Sequence, residues 1–159
     1  MKILVVYYSR TGTTRKVAEE VSHLLRCGIE EVLDTKNRSG ILGWLSAGRD
    51  AGSKGLTEIG ETKRNPALYD VVIIGTPVWN GTVSAPIRTY ITQYRDSFKN
   101  VAFFCTQEGT ENRALREMES ICGKKPIAQL ELMRKQEVET GEYIDKVRQF
   151  TAEISNRTE

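Results

Sequence analysis

At 159 residues, with 28% charged and 39% hydrophobic side chains, the chain has the composition of one soluble globular domain, long enough to bury roughly 70% of its unfolded surface. A formal charge of +2 gives no basic excess of the kind that marks nucleic-acid binding, and the first apolar run, six residues long, is too short for a signal peptide or a membrane span. Three cysteines without C-x-x-C spacing and a single histidine, His23, argue against a disulfide framework, a zinc centre and most histidine-based catalysis, so a reducing cytoplasm is the expected location and no metal site is expected.

The first predicted element is a strand over residues 3–7, a continuous apolar run and therefore buried on both faces. Ser9-Arg10-Thr11-Gly12-Thr13-Thr14 follows at once. A helix is predicted from about Arg15, with Val17, Val21, Leu24 and Leu25 in one apolar stripe. Residues 29–33 read as a second strand, wetter because of Glu30 and Glu31, which places it at an edge. Residues 36–61 break the rhythm, with six of the thirteen glycines and no clean strand. Within them, residues 41–51 carry Leu42, Trp44 and Leu45, consistent with a short helix; so long a connection in a compact domain is usually functional or mobile.

A third strand is predicted over residues 71–74 and a fourth over 101–104, both continuously apolar. Between them Ile87, Tyr90, Ile91 and Tyr94 mark a second helix. Leu115, Met118, Ile121 and Cys122 mark a third. The fifth strand, residues 127–132, alternates Gln129 and Glu131 with Leu130 and Leu132, an edge pattern, and Tyr143, Val147, Phe150 and Ile154 mark a last helix. Strands alternating with helices imply parallel pairing through right-handed crossovers. Three apolar strands in the centre and two wetter ones outside give a doubly wound five-stranded α/β sheet of order 2-1-3-4-5, helices on both faces, as a single domain over residues 1–159. Such sheets bind ligands at the carboxyl ends of the strands where the order reverses, between the first and third.

Three loops meet there. The first, residues 9–14, leads a buried strand into a helix through four hydroxyls and one glycine. Unpartnered amides of the first helical turn and the helix dipole favour an anion at that place. Neither G-x-G-x-x-G nor G-x-x-x-x-G-K-[ST] occurs in the chain, so the ligand is a phosphate monoester held without a lysine rather than a dinucleotide or nucleoside triphosphate. The alternative is a hydroxyl-rich helix cap, for which one residue suffices. The second loop, residues 75–82, holds Trp79 between Pro77 and Gly81, poorly placed for the core and well placed to lie against a flat ring; the alternative is that it packs onto its own helix. The third, residues 105–110, begins with Cys105. A C-x5-R phosphatase loop would need arginine where Glu111 stands, and Arg113 comes two residues late, so Cys105 reads as a buried small hydrophobe. Response regulators need acidic residues where Tyr7-Tyr8-Ser9 stands.

These residues resemble the flavodoxin family. Tyr8-Ser9-Arg10-Thr11-Gly12-Thr13-Thr14 is similar to its FMN phosphate loop, and Gly75-Thr76-Pro77-Val78-Trp79-Asn80-Gly81 to its G-x-P-[IV]-W-x-G flavin loop. The resemblance implies that Ser9, Thr11, Thr13 and Thr14 bind the FMN phosphate with the amides around Gly12, Arg10 belonging to the same loop at a position that varies in the family. It implies that Thr76, Pro77, Val78, Trp79, Asn80 and Gly81 flank the flavin ring. Thr106, Gln107, Glu108 and Gly109 would meet the ring's pyrimidine side through backbone groups. Residues 40–51 resemble a segment of flavodoxin-like proteins of unassigned role, in which Trp44 would cover the flavin or a partner site, or pack in the core. No side chain is assigned as catalytic. The implied function is an FMN-dependent electron carrier between redox partner proteins. The alternatives are an NAD(P)H-dependent quinone or flavin reductase, with residues 36–61 forming its pocket, and a flavin-binding regulatory module. One departure stands out: electron-shuttling flavodoxins are strongly acidic, whereas this chain is slightly basic. That leaves an acidic partner, a local acidic face diluted by lysines elsewhere, or a protein that is not a general shuttle.

Overall fold

The computed structural model describes residues 1–35, 55–109 and 111–157. Five parallel strands form its sheet: β1 (Ile3–Tyr7), β2 (Gly28–Glu31), β3 (Val71–Trp79), β5 (Asn100–Gln107) and β6 (Gln129–Met133), ordered β2-β1-β3-β5-β6. In order of appearance this is the expected 2-1-3-4-5. A two-residue strand, β4 (Thr82–Val83), pairs antiparallel with the end of β3. The central strands are buried on both faces. On the edge strand β6, Leu130 and Leu132 turn inward while Gln129 and Glu131 are exposed.

Alternation along the strands divides the core into two layers. Leu4, Val6, Val72, Ile74, Val101 and Phe103 face α2 (Ala85–Tyr94) and α3 (Ala114–Cys122), whose Ile87, Tyr90, Ile91 and Met118 fill that side. Ile3, Val5, Val71, Ile73, Ala102 and Phe104 face α1 (Thr13–Leu25) and α4 (Tyr143–Asn156), which contribute Val17, Val21, Val147, Phe150 and Ile154. Each of these apolar side chains contributes about 1.5–3 kcal/mol by leaving water. The helices form because their apolar residues recur at three and four positions, so each buries one face. Gly75 is required by packing: it pairs with Phe104, and a Cβ there would lie 2.0 Å from the Phe104 ring.

β3 continues past the predicted strand through Thr76, Pro77, Val78 and Trp79, then reverses at Asn80-Gly81 into β4. Both turn residues have positive φ, +49° and +75°, the requirement of a type I′ two-residue turn. The stretch expected as a loop is therefore a hairpin, because Asn-Gly between paired strand residues supplies a turn whose twist matches theirs.

The helix expected over residues 41–51, with Trp44, lies outside the described residues. Where the chain resumes, Thr57 is fixed to α2: its N–H donates to Thr89 Oγ1 (3.0 Å), and the Thr89 hydroxyl donates to its carbonyl (2.9 Å). Ile59 forms an isolated antiparallel bridge to Asp34 beyond β2. Among the described residues, no helix is long and apolar enough to cross a membrane, and no His/Cys/Asp/Glu group is placed to hold a metal.

Candidate functional site

The carboxyl ends of β1, β3 and β5 lie side by side, with Tyr7 opposite Gly75 and Pro77 opposite Thr106. The chain leaves β1 through Tyr8 and enters the 9–12 turn. There the Gly12 N–H donates to Ser9 Oγ (3.1 Å) and the Gly12 carbonyl accepts from Lys16 N–H (3.0 Å). Gly12 is the cap residue of α1 at φ +98°, a conformation glycine adopts without a Cβ penalty. No side chain caps this helix and its first turn holds no acidic residue. The loop hydroxyls are thus not spent on capping the helix: Ser9 Oγ accepts from the N–H of Gly12 itself. A Cβ on Gly12 would meet nothing within 4 Å, so this face of the cap residue is uncrowded. Open amides at the positive end of a helix, with exposed Thr11 and half-buried Ser9 and Thr13 beside them, fit a phosphate monoester.

Thr14 is differently placed. It is buried, and its hydroxyl forms a 2.8 Å hydrogen bond with that of Thr106, 92 residues away on β5. The bond uses one of the two hydroxyl protons, so the accepting partner keeps its own. Arg10 is half-buried; its Nε is buried with no hydrogen-bond partner among the described residues.

The hairpin supplies the second wall. Asn80 at its tip is exposed, Pro77, Val78 and Gly81 are half-buried, and Trp79 is buried. The expectation that Trp79 is poorly placed for the core is corrected here. As the last residue of β3 it packs edge-on against Tyr8, ring centroids 5.2 Å apart at 88°, inside the α2/α3 layer. Thr76 is committed internally. Its hydroxyl donates to the Pro77 carbonyl (2.8 Å), accepts from Ser84 N–H (3.1 Å) and lies 2.9 Å from Ser84 Oγ, tying β3 to the start of α2.

At the end of β5, Thr106 and Gln107 are buried and Glu108 and Gly109 are exposed; Thr110 lies outside the described residues. Glu108 pairs with Arg134 at 3.0 Å. The Gln107 amide donates to Glu131, which also accepts from Asn112 at 3.1 Å. Gly109 has φ +102°, and a Cβ there would come within 2.9 Å of Met133 Cε. Cys105 is fully buried, and burial pushes its thiol far above the ordinary range, so it supplies no thiolate. Sequence reasoning missed Thr82, Arg88 and Glu117, which meet behind the hairpin. The one available sign was Arg88, a charge set between Ile87 and Thr89 on the apolar side of α2.

The sequence model of the family described as flavodoxin matches residues 2–146. The chain belongs to the flavodoxin family. Solved structures agree in fold. The flavoprotein of Lactobacillus acidophilus NCFM in complex with FMN is 24% identical over 92% of this chain and 98% of its own, with a TM-score of 0.72. Oxidised flavodoxin 1 of Bacillus cereus is 16% identical over 98% of both chains, TM-score 0.60. Rubredoxin oxygen:oxidoreductase of Desulfovibrio gigas is 17% identical, TM-score 0.56; the match covers 95% of this chain and 35% of that larger one. At these identities the likeness is one of fold. No curated protein matches the chain in sequence.

Proposed function

We propose that this flavodoxin-family chain binds FMN at the β1/β3 switch point and works as an electron carrier between redox partner proteins in the cytoplasm. The observation that carries the reading is the uncapped start of α1, ringed by Ser9, Thr11 and Thr13 around the uncrowded Gly12. In this reading those hydroxyls and the first-turn amides hold the phosphate, with Arg10 beside them and Thr14 acting through its bond to Thr106. Pro77, Val78, Asn80 and Gly81 flank the ring, and Trp79 backs the wall against Tyr8. Gln107, Glu108 and Gly109 border its far edge, and Thr76 holds the hairpin to α2. When bound, the flavin supplies the electron-accepting centre, and the protein tunes it through the groups placed around the ring.

Charges of both signs are paired at the carboxyl ends of the strands, Arg15 with Glu31 and Arg134 with Glu108 and Glu139, so the reading rests on the FMN site and not on an acidic docking face.

Reconstitution with FMN, followed by anaerobic stepwise reduction under visible light absorption, tests the reading. Tight FMN binding and two separated one-electron steps support the carrier. Steady oxidation of NADH or NADPH with a quinone would replace it with the reductase reading, and failure to bind FMN would remove both.

A further inference from the structure

The β3–β4 hairpin is anchored from behind by a largely buried ion pair, Arg88 of α2 with Glu117 of α3. Thr82, the first residue of β4, donates its hydroxyl to the Glu117 carboxylate of α3. Arg88 of α2 lies 2.9 Å from the same carboxylate and 3.3 Å from Thr82 Oγ1. Both charged side chains are largely removed from water, at 7% and 12% exposure. The Arg113 guanidinium adds a third contact to Glu117 at 3.0 Å, and the Arg113 backbone N–H donates to the Gly81 carbonyl at 2.9 Å. One carboxylate therefore joins β4, α2 and the start of α3, and the residue that opens α3 grips the turn itself.

We infer that Glu117 is a positioning residue: through Thr82, Arg88 and Arg113 it fixes the Asn80-Gly81 turn in one conformation before any cofactor arrives. The physical basis is preorganisation. A type I′ turn in a two-residue hairpin carries only the two pairs Val78–Val83 and Trp79–Thr82, and hairpins this short are marginal by themselves. Side chains that hold such a turn in its bound geometry remove the ordering cost from the binding step. A buried ion pair is a costly way merely to stabilise a fold, since apolar residues of equal volume serve as well. Its place beneath the turn gives it a positional use. The inference rests on the FMN reading of the site.

Thr82→Val tests it most directly, because it removes the hydroxyl while leaving the Arg88–Glu117 pair and its charge intact. Glu117→Gln is the second variant. In the cofactor-free protein, amide hydrogen exchange across residues 79–83 is expected to quicken at least tenfold in each. The FMN dissociation constant is expected to rise at least tenfold. Thr82→Ser, which returns the hydroxyl, restores both. Thr151→Val is the control: it removes a hydroxyl of similar burial on α4, bonded to the Arg148 carbonyl at 3.0 Å, and leaves hairpin exchange and FMN affinity at wild type. Wild-type exchange and affinity in Thr82→Val, or equal losses in Thr151→Val, would overturn the positioning role. If the wild-type chain takes up no FMN, the FMN reading fails, while exchange in the cofactor-free variants still decides whether the cluster holds the turn.

Discussion

The hydrogen bond between Thr14 and Thr106 joins the first turn of α1 to the end of β5, and its removal has a calculable cost. Both side chains are buried, at 1% and 5% exposure, and their hydroxyls are 2.8 Å apart. Thr14→Val keeps the shape and leaves the Thr106 hydroxyl in a buried site without this partner. An unsatisfied buried hydroxyl costs about 1–3 kcal/mol, whereas replacing both members by apolar groups of the same shape is nearly neutral. Taking about 2 kcal/mol and a urea m value of about 2 kcal/mol per M, each single valine variant lowers the unfolding midpoint by about 1 M. The double variant Thr14→Val/Thr106→Val is expected to lose only about 1 kcal/mol, so the cycle shows a coupling of about 3 kcal/mol. Equilibrium urea unfolding of the four proteins, followed by circular dichroism, measures it. A double variant that loses the sum of the two single losses would refute the argument, because the hydroxyls would then be satisfied independently.

Tyr90 is buried, and its hydroxyl has no hydrogen-bond partner among the described residues, so Tyr90→Phe should unfold at the same urea concentration or a higher one. Burial, with Glu30 a lesser cause, raises the Tyr90 phenol pKa. A raised pKa contributes stability that is complete below the unfolded value of about 10 and declines above it, so in an alkaline titration of stability the phenylalanine variant should lose less than wild type. Gly75→Ala drives a methyl into the Phe104 ring; a loss of about 1–3 kcal/mol or more is expected, and Gly75→Ala/Phe104→Leu should regain part of it in the same unfolding assay. With a thiol reagent at pH 8, half-buried Cys27 should be labelled first and fully buried Cys105 only after unfolding, as peptide mapping by mass spectrometry will show.

Much of the architecture was legible from local pattern. Continuous apolar runs marked β1, β3 and β5 as central, and charges within the runs marked β2 and β6 as edges, because strands covered on both faces run nearly continuously apolar while edge strands keep polar positions. Helix spacing found α1 to α4 for the same reason: a period of three and four residues is a property of neighbours in sequence. The hydroxyl loop and the tryptophan loop were found as motifs and fall at the switch point, where strand order alone puts them. The hairpin was the main misreading. Asn80-Gly81 is the strongest short-range hairpin signal in the chain, and reading it only as part of a flavin loop hid the strand pairing it imposes.

By itself, the sequence determined which segments are strands and helices, their order in the sheet, and which loops meet at the switch point between β1 and β3, all of which follow from periodicity and from the rules of parallel connection. Only the tertiary structure decided what each polar side chain does there. It bonded Thr14 to Thr106, tied the Thr76 hydroxyl to Ser84, buried Trp79 against Tyr8 and set Glu117 beneath the turn. Those pairings join residues 8 to 92 positions apart or more closely stacked across strands, and they depend on register and on which helix covers which face. A one-residue slip in register would exchange every side chain between the two layers, so no local reading of the chain contains them.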